Sequence, residues 1–140
     1  WSSDVCSSDL YIGVKQVQAW PEEKDGQQGY GVMYPDGYVS WSPKEAFEKA
    51  YFPMGDDPTK VSQEMVDAFT KEDVFRFGEK TTLVKAKALT GFALIETSSC
   101  VDPENYDPET GRKICAERIE SKIWEMLGFV LQWARAGLIR

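Results

Sequence analysis

From Pro108 onward, Ile114, Cys115, Ile119, Ile123, Met126, Leu127, Val130 and Ala134 recur at helical spacing. A helix of that length with one apolar stripe is marginal alone in water and has to bury the stripe against another element. The element is supplied just upstream. In TTLVKAKAL, Leu83, Lys85 and Lys87 fall on one side of an extended chain and Val84, Ala86 and Ala88 on the other. Thr90-Gly91 then turns this strand into FALIET, a hairpin short enough to need a partner surface. Between hairpin and helix lies a polar elbow, SSCVDPENYDPETG, whose two prolines hold its backbone. Asp107 is placed to cap the helix that Pro108 opens, with Glu109 in the first turn where a negative charge suits the helix dipole. Gly128 is expected to bend or end the first part of the helix near Trp124 to Leu127.

Ahead of this, WSSDVCSSDL is small, polar and repetitive. It resembles translated sequencing-adapter read-through and is set aside, Cys6 with it. YIGVKQVQAW, Tyr11 to Trp20, has the composition of a strand and is closed by Pro21 and the polar loop EEKDGQQG. YGVMY and YVSW flank Pro35-Asp36-Gly37, which predicts a hairpin. Ser42, Pro43 and Glu45 then read as N-cap, first helical position and reciprocal capping-box residue of a helix running to about Tyr51 and burying Ala46, Phe47 and Ala50. Phe52 to Pro58 reads as a linker. Thr59 or Ser62 starts a short helix with Val61, Met65, Val66 and Phe69 on its apolar face, and KEDVFRFGEK reads as turn-like.

The chain of 140 residues, 42% hydrophobic, can bury one moderate core or two small ones. The pattern predicts an α+β protein of small antiparallel hairpins or sheets with packed helices and a long C-terminal helix. Its expected organisation is residues 1–10 as an artefact, 11–56 as an N-terminal hairpin-helix module and 57–140 as a C-terminal helix-hairpin-helix ligand-binding domain. No run is long enough to cross a bilayer and no signal peptide is evident, so a soluble, intracellular protein is expected. Three cysteines without a CxxC pair fit a reducing compartment.

Histidine is absent. That removes the Ser-His-Asp triad, the Cys-His pair, the imidazole base and any His-containing zinc site, and leaves only carboxylate, lysine or tyrosine chemistry for an enzyme. A net charge of −7 speaks against DNA or RNA as the partner. Residues 1–56 carry 4 basic and 9 acidic side chains, whereas eight basic residues fall between Arg76 and Lys122, so a cationic pocket can exist on an acidic protein.

The elbow gathers acceptors, an amide and an aromatic beside the helix that carries Arg112, Arg118 and Lys122, a seat for an anionic small molecule. Each candidate has a structural alternative. Tyr30, Tyr34, Tyr38 and Trp41 can be sheet pairs or a stacking platform for a base. Phe92, opening the strand into the elbow, can be core or a stacking ring. Asp102, Glu104, Asn105, Asp107 and Glu109 offer oxygen ligands, but the alternation and central glycine of a calcium loop are missing, so no metal is assigned. Arg118 and Lys122 can pair with Glu117 and Glu125 on the surface or reach a phosphate.

The pattern GF…CVDPENYDPETGRKICAERIESKIWEMLGF, over about residues 59–131, resembles a family of small tailed-phage proteins known by gene-product numbers in N4-like and Sf6-like phages. The front half, YIGVKQVQAWP…GYGVMYPDGYVSWSPKEAFEKAY, resembles a phage module that precedes more than one C-terminal domain. The C-terminal signature is also similar to the anti-Thoeris sponge proteins, with which phages sequester cyclic ADP-ribose-type signals made by bacterial TIR enzymes. The resemblance implies a homo-oligomer in the host bacterial cytoplasm that binds a cyclic nucleotide between subunits, without cleavage, cofactor, nucleic acid or membrane. It implies that Phe92 stacks on adenine, that Asp102 or Asn105 contacts polar edges and that Arg112 or Arg118 holds phosphate, with Lys122 beside them. An enzyme that cleaves such a signal, and a module that binds a host protein, are the competing readings.

Overall fold

A computed structural model describes residues 8–140. Residues 1–7, Cys6 included, lie outside the described residues. The chain divides into two compact units, one taking the chain up to Ala50 together with Gln132–Arg140, the other Tyr51–Leu131. The architecture is α+β, as the pattern predicts: two three-stranded antiparallel sheets, two short helices and one long one.

In the first unit, β1 (Gln18–Pro21), β2 (Gly29–Met33) and β3 (Val39–Pro43) form a meander. The turn at Pro35-Asp36-Gly37 forms where expected. Gly37 N–H donates to the Tyr34 carbonyl at 2.9 Å, and Gly37 takes φ 89°, open to a residue without Cβ. Asp36 Oδ1 accepts from the Tyr38 amide at 3.0 Å and braces the loop. The preceding loop is tighter than its composition suggests. Asp25 and Gly26 both have positive φ, and Lys24 and Gln27 bridge across them, a two-residue hairpin turn of the Asp-Gly kind.

Two expectations fail here. The strand expected from Tyr11 to Trp20 begins only at Gln18, because Gln18 pairs with Met33, the last residue before the chain turns away. Among the described residues, none upstream of Gln18 is paired in the sheet. The capping box at Ser42 does not form. Ser42 is paired with Tyr30 inside the sheet, Pro43 is the last strand residue, and helix α1 (Lys44–Ala50) starts one position later. Ala46 and Ala50 are exposed; only Phe47 is partly covered, stacked on Tyr30 with ring centroids 4.3 Å apart.

In the second unit Ser62 caps α2 (Gln63–Phe69), its Oγ accepting from the Met65 amide at 3.2 Å, and Val66 is buried. The segment read as turn-like is instead strand β4 (Thr70–Phe77), and the turn follows at Gly78. Nearly every β4 side chain is exposed, so no alternation of polar and apolar residues advertises the strand. Strand β5 (Thr81–Ala88) is the centre and β6 (Ala93–Ser99) the far edge. Helix α3 (Pro108–Ala136) runs 29 residues, about 43 Å at ~1.5 Å each, without a break at Gly128. A lone glycine costs roughly 1 kcal/mol in a helix, too little to end one with good formers on both sides.

The core lies where the long helix crosses the sheet. Gly111, Cys115, Ile119, Ile123 and Leu127 form one row along α3, and their burial is matched by Thr82, Val84, Ala86 and Ala88, the even positions of β5. Met65, Phe69, Leu94 and Trp124 close its rim. Gly111 decides the closest approach: a methyl there would collide with the side chain of Thr82. Thr82 is itself buried at 1% exposure, its hydroxyl hydrogen-bonded with the Tyr106 hydroxyl at 3.0 Å.

Candidate functional site

Beside the buried row of α3 runs a second one, Ile114, Arg118, Lys122, Met126 and Val130, four residues apart and so on one flank of the helix. The opposite flank is taken by α2, where Gln63 Nε2 donates to Glu120 Oε1 at 2.9 Å. The Arg118–Lys122 flank faces β6. Arg118 Nη1 donates to the Thr97 carbonyl at 2.9 Å, and Lys122 Nζ meets Glu96 Oε2 at 3.2 Å. Thr97 is an edge residue whose backbone points away from β5. The neighbouring even positions bond inward, as Phe92 does by accepting from the Ala88 amide at 2.8 Å.

Past Lys122 this flank opens into a depression of about 520 Å³ lined by Leu94, Lys122, Glu125, Met126, Phe129 and Val130. Four of its lining side chains are apolar, and Lys122 and Glu125 are charged. Phe129 is 69% exposed, a large apolar surface for a helix face. At the end of this flank Gly91, with φ 90°, reverses the chain, and the Thr90 hydroxyl accepts from the Phe92 amide at 3.3 Å. Phe92 is 60% exposed, not core. Strand alternation puts it on the same face as Leu94 and Glu96.

The elbow is at the other end of β6, whose 7 residues span about 23 Å. A 3-10 turn, Pro103–Asn105, occupies it, capped by Asp102, whose Oδ1 accepts from the Glu104 amide at 2.9 Å. Asp102 thus has a structural task of its own. The Asn105 backbone N–H donates to the Asp102 backbone carbonyl at 2.9 Å, and Asn105 is exposed. Asp107 caps α3 as expected, accepting from the Glu109 amide at 3.2 Å and the Thr110 hydroxyl at 2.6 Å. These bonds hold its carboxyl below the usual range. Arg112 is clamped by Glu109, Nη2 to Oε1 at 2.7 Å and Nε to Oε2 at 3.1 Å, which lowers the Glu109 carboxyl and raises the guanidinium.

The six candidates therefore divide within one chain. Phe92, Lys122 and Arg118 follow β6 along its outer side; Asp102, Asn105 and Arg112 gather at the elbow. Sequence reasoning put all six around the elbow because Phe92 and the Cys-Val-Asp-Pro motif are neighbours in sequence, yet a strand holds its two ends apart. It also passed over Arg76, whose guanidinium lies 4.5 Å above the Tyr106 ring and donates to the Gly78 and Glu79 carbonyls. Lys80, too, reaches the elbow, donating to the Val101 carbonyl at 3.2 Å. Both lie in the segment read as a turn, and once β4 is recognised its pairing of Arg76 with Thr82 brings them to the elbow.

Chemically the outer side of β6 offers an apolar depression, an exposed phenyl ring and two cations, Lys122 paired with Glu96 and Arg118 with the Thr97 carbonyl. Burial pushes the Cys115 thiol up, and the Cys100 thiol donates to the Asp102 carbonyl at 3.1 Å. Among the described residues, no three His, Cys, Asp or Glu side chains converge as a metal ion would require, and no helix is long and apolar enough to cross a membrane.

No curated protein and no solved structure gives a significant match to the chain. The model of the Phage protein (N4 Gp49/phage Sf6 gene 66) family does, over residues 47–134, from α1 through the whole second sheet and nearly to the end of α3. The strand, elbow and long helix that build the candidate site thus all lie inside the matched stretch, and the chain belongs to that phage protein family.

Proposed function

We propose that this phage protein binds and sequesters a cyclic nucleotide immune signal of the cyclic ADP-ribose type, without cleaving it, in the host cytoplasm. The observation that carries the reading is the line of Phe92, Lys122 and Arg118 beside the depression lined by Leu94, Met126 and Val130. A phenyl ring stacks a base, two cations hold phosphate and an apolar lining takes the remaining surface. Capture requires affinity and not turnover, so a chain without histidine lacks nothing it needs. The depression is open on one side, which suits a site completed by an adjoining protomer.

The test is native mass spectrometry of the full chain with a panel of cyclic ADP-ribose isomers and cyclic dinucleotides, followed by heat release. Intact ligand recovered in stoichiometric amount supports capture. Absence of binding to the whole panel, or conversion of the ligand to a linear product, overturns it; conversion would establish instead an enzyme that cleaves the signal.

A further inference from the structure

The two edges of the β4-β5-β6 sheet are treated differently. On the β6 edge a side chain of α3 reaches the backbone, Arg118 donating to the Thr97 carbonyl. On the β4 edge no side chain plays that part. Because Leu89 N–H donates to the Phe69 carbonyl, the odd-numbered residues of β4 bond to β5, and the amides and carbonyls of Glu72, Val74 and Arg76 point outward. Among the described residues no hydrogen bond reaches these outward groups. Val74, Phe75 and Phe77 are also exposed, at 45%, 51% and 69%. An eight-residue edge with unpaired backbone and exposed apolar side chains is a template for another strand.

We propose that the occupant is β4 of a second copy, paired antiparallel about a two-fold axis at Val74. A ladder requires outward-pointing residues to face one another, which restricts the register to even-numbered positions opposite even-numbered positions. With Val74 opposite Val74, Glu72 of each copy faces Arg76 of the other, two opposite-charge pairs from one register. Arg76 has Nη1 in reserve for this, its Nε and Nη2 being engaged by Gly78 and Glu79. Sliding the copies by one even step either sets Asp73 against Asp73 or carries Arg76 opposite Val74 with both charge pairs unmade. Like charges directly opposed destabilise a sheet and unlike ones stabilise it. The result is a continuous six-stranded sheet with both long helices on one face, and it requires no ligand.

Sedimentation equilibrium of the full chain, nucleotide-free, tests the interface. The wild type should be dimeric or a multiple of two. E72R and R76E should each raise the dissociation constant about tenfold or more, because each turns both pairs from attraction to repulsion. The exchanged double variant E72R/R76E should return to within about threefold of wild type. V74P removes the amide at the axis without touching a bond to β5 and should give a monomer; should it fail to fold, the charge exchange carries the test. A monomeric wild type, or single variants that associate as the wild type does, overturns the proposal, as does a double variant no better than the singles. Ligand binding plays no part in the readout, so failure here leaves the capture reading standing, and the reverse holds too.

Discussion

The two sheets have the same topology, three antiparallel strands in chain order, and are held by different means. In the second, β5 lies under the long helix, and seven buried residues form one cluster around Ile119 and Val84. In the first, Val32 is the apolar side chain buried to 1% among the described residues. Its other face is built from tryptophan on glycine. The indoles of Trp20 and Trp41 lie where Cβ atoms of Gly31 and Gly29 would be. Trp41 Nε1 donates to the Glu22 carbonyl at 2.8 Å, and Trp20 Nε1 to Glu22 Oε1 at 3.2 Å. The first sheet thus uses two large flat side chains as a cover, with glycine beneath them. A sheet that has a helix can use alanine and valine, and needs glycine only at Gly111, where the helix comes closest.

The sharpest way to break this comparison is Ile119→Ala. It empties the middle of the larger core and should cost about 2–5 kcal/mol by denaturant titration; a smaller loss would mean the helix is held mainly elsewhere. Gly31→Ala tests the other sheet. It should cost about 1–3 kcal/mol and free the Trp20 ring, read as a red-shifted, quenchable indole fluorescence, while the hydrogen-exchange protection of β5 stays as it was. If Gly31→Ala is silent, the tryptophans do not rest on the sheet as described.

The exposed outer side of β6 should behave unlike either core. Phe92→Ala and Arg118→Ala remove groups with little buried surface, so stability should change by no more than about 0.5 kcal/mol, while affinity for a captured cyclic nucleotide falls about tenfold or more by calorimetry. Unchanged affinity in both would remove the outer side of β6 as the site.

The smallest expected effect is at the elbow in acid. Asp107 and Glu109 are held below the usual carboxylate range in the folded chain, Asp107 chiefly by the Thr110 hydroxyl and Glu109 by Arg112. A lowered folded value means their contribution is complete above about pH 4.5 and is lost as pH falls through the folded pKa values. Asp107→Asn should therefore lower the melting temperature slightly at pH 7 and flatten its decline below about pH 4. An identical acid profile in the variant would show that the cap does not couple to folding.

Much of the molecule was legible in the chain because local chemistry and tertiary need agree there. Asp107 followed by Pro108 starts the long helix, Ser62 caps the next one back, Pro35-Asp36-Gly37 turns, and the alternation of Val84, Ala86 and Ala88 marks a covered strand face. The failures share a cause. β4 is a strand because β5 pairs with it, not because its own residues alternate, and Tyr11 to Val17 fall outside the sheet, whose pairing begins at Gln18. Ser42 had the makings of a cap, but the ladder claimed it first.

What the amino-acid sequence determined by itself is the set of elements whose start, stop and covered face are written within a few residues, and with them the α+β class and the phage family. The chemistry ruled out by the lack of histidine belongs there too. Tertiary structure alone decided which residues stand together: that Arg118 spans to Thr97, that Phe92 and Asp102 lie at opposite ends of one strand, and that Gly111 admits Thr82. Those relations depend on which strand pairs with which and how closely a helix approaches, and both are set by contacts between residues far apart in the chain.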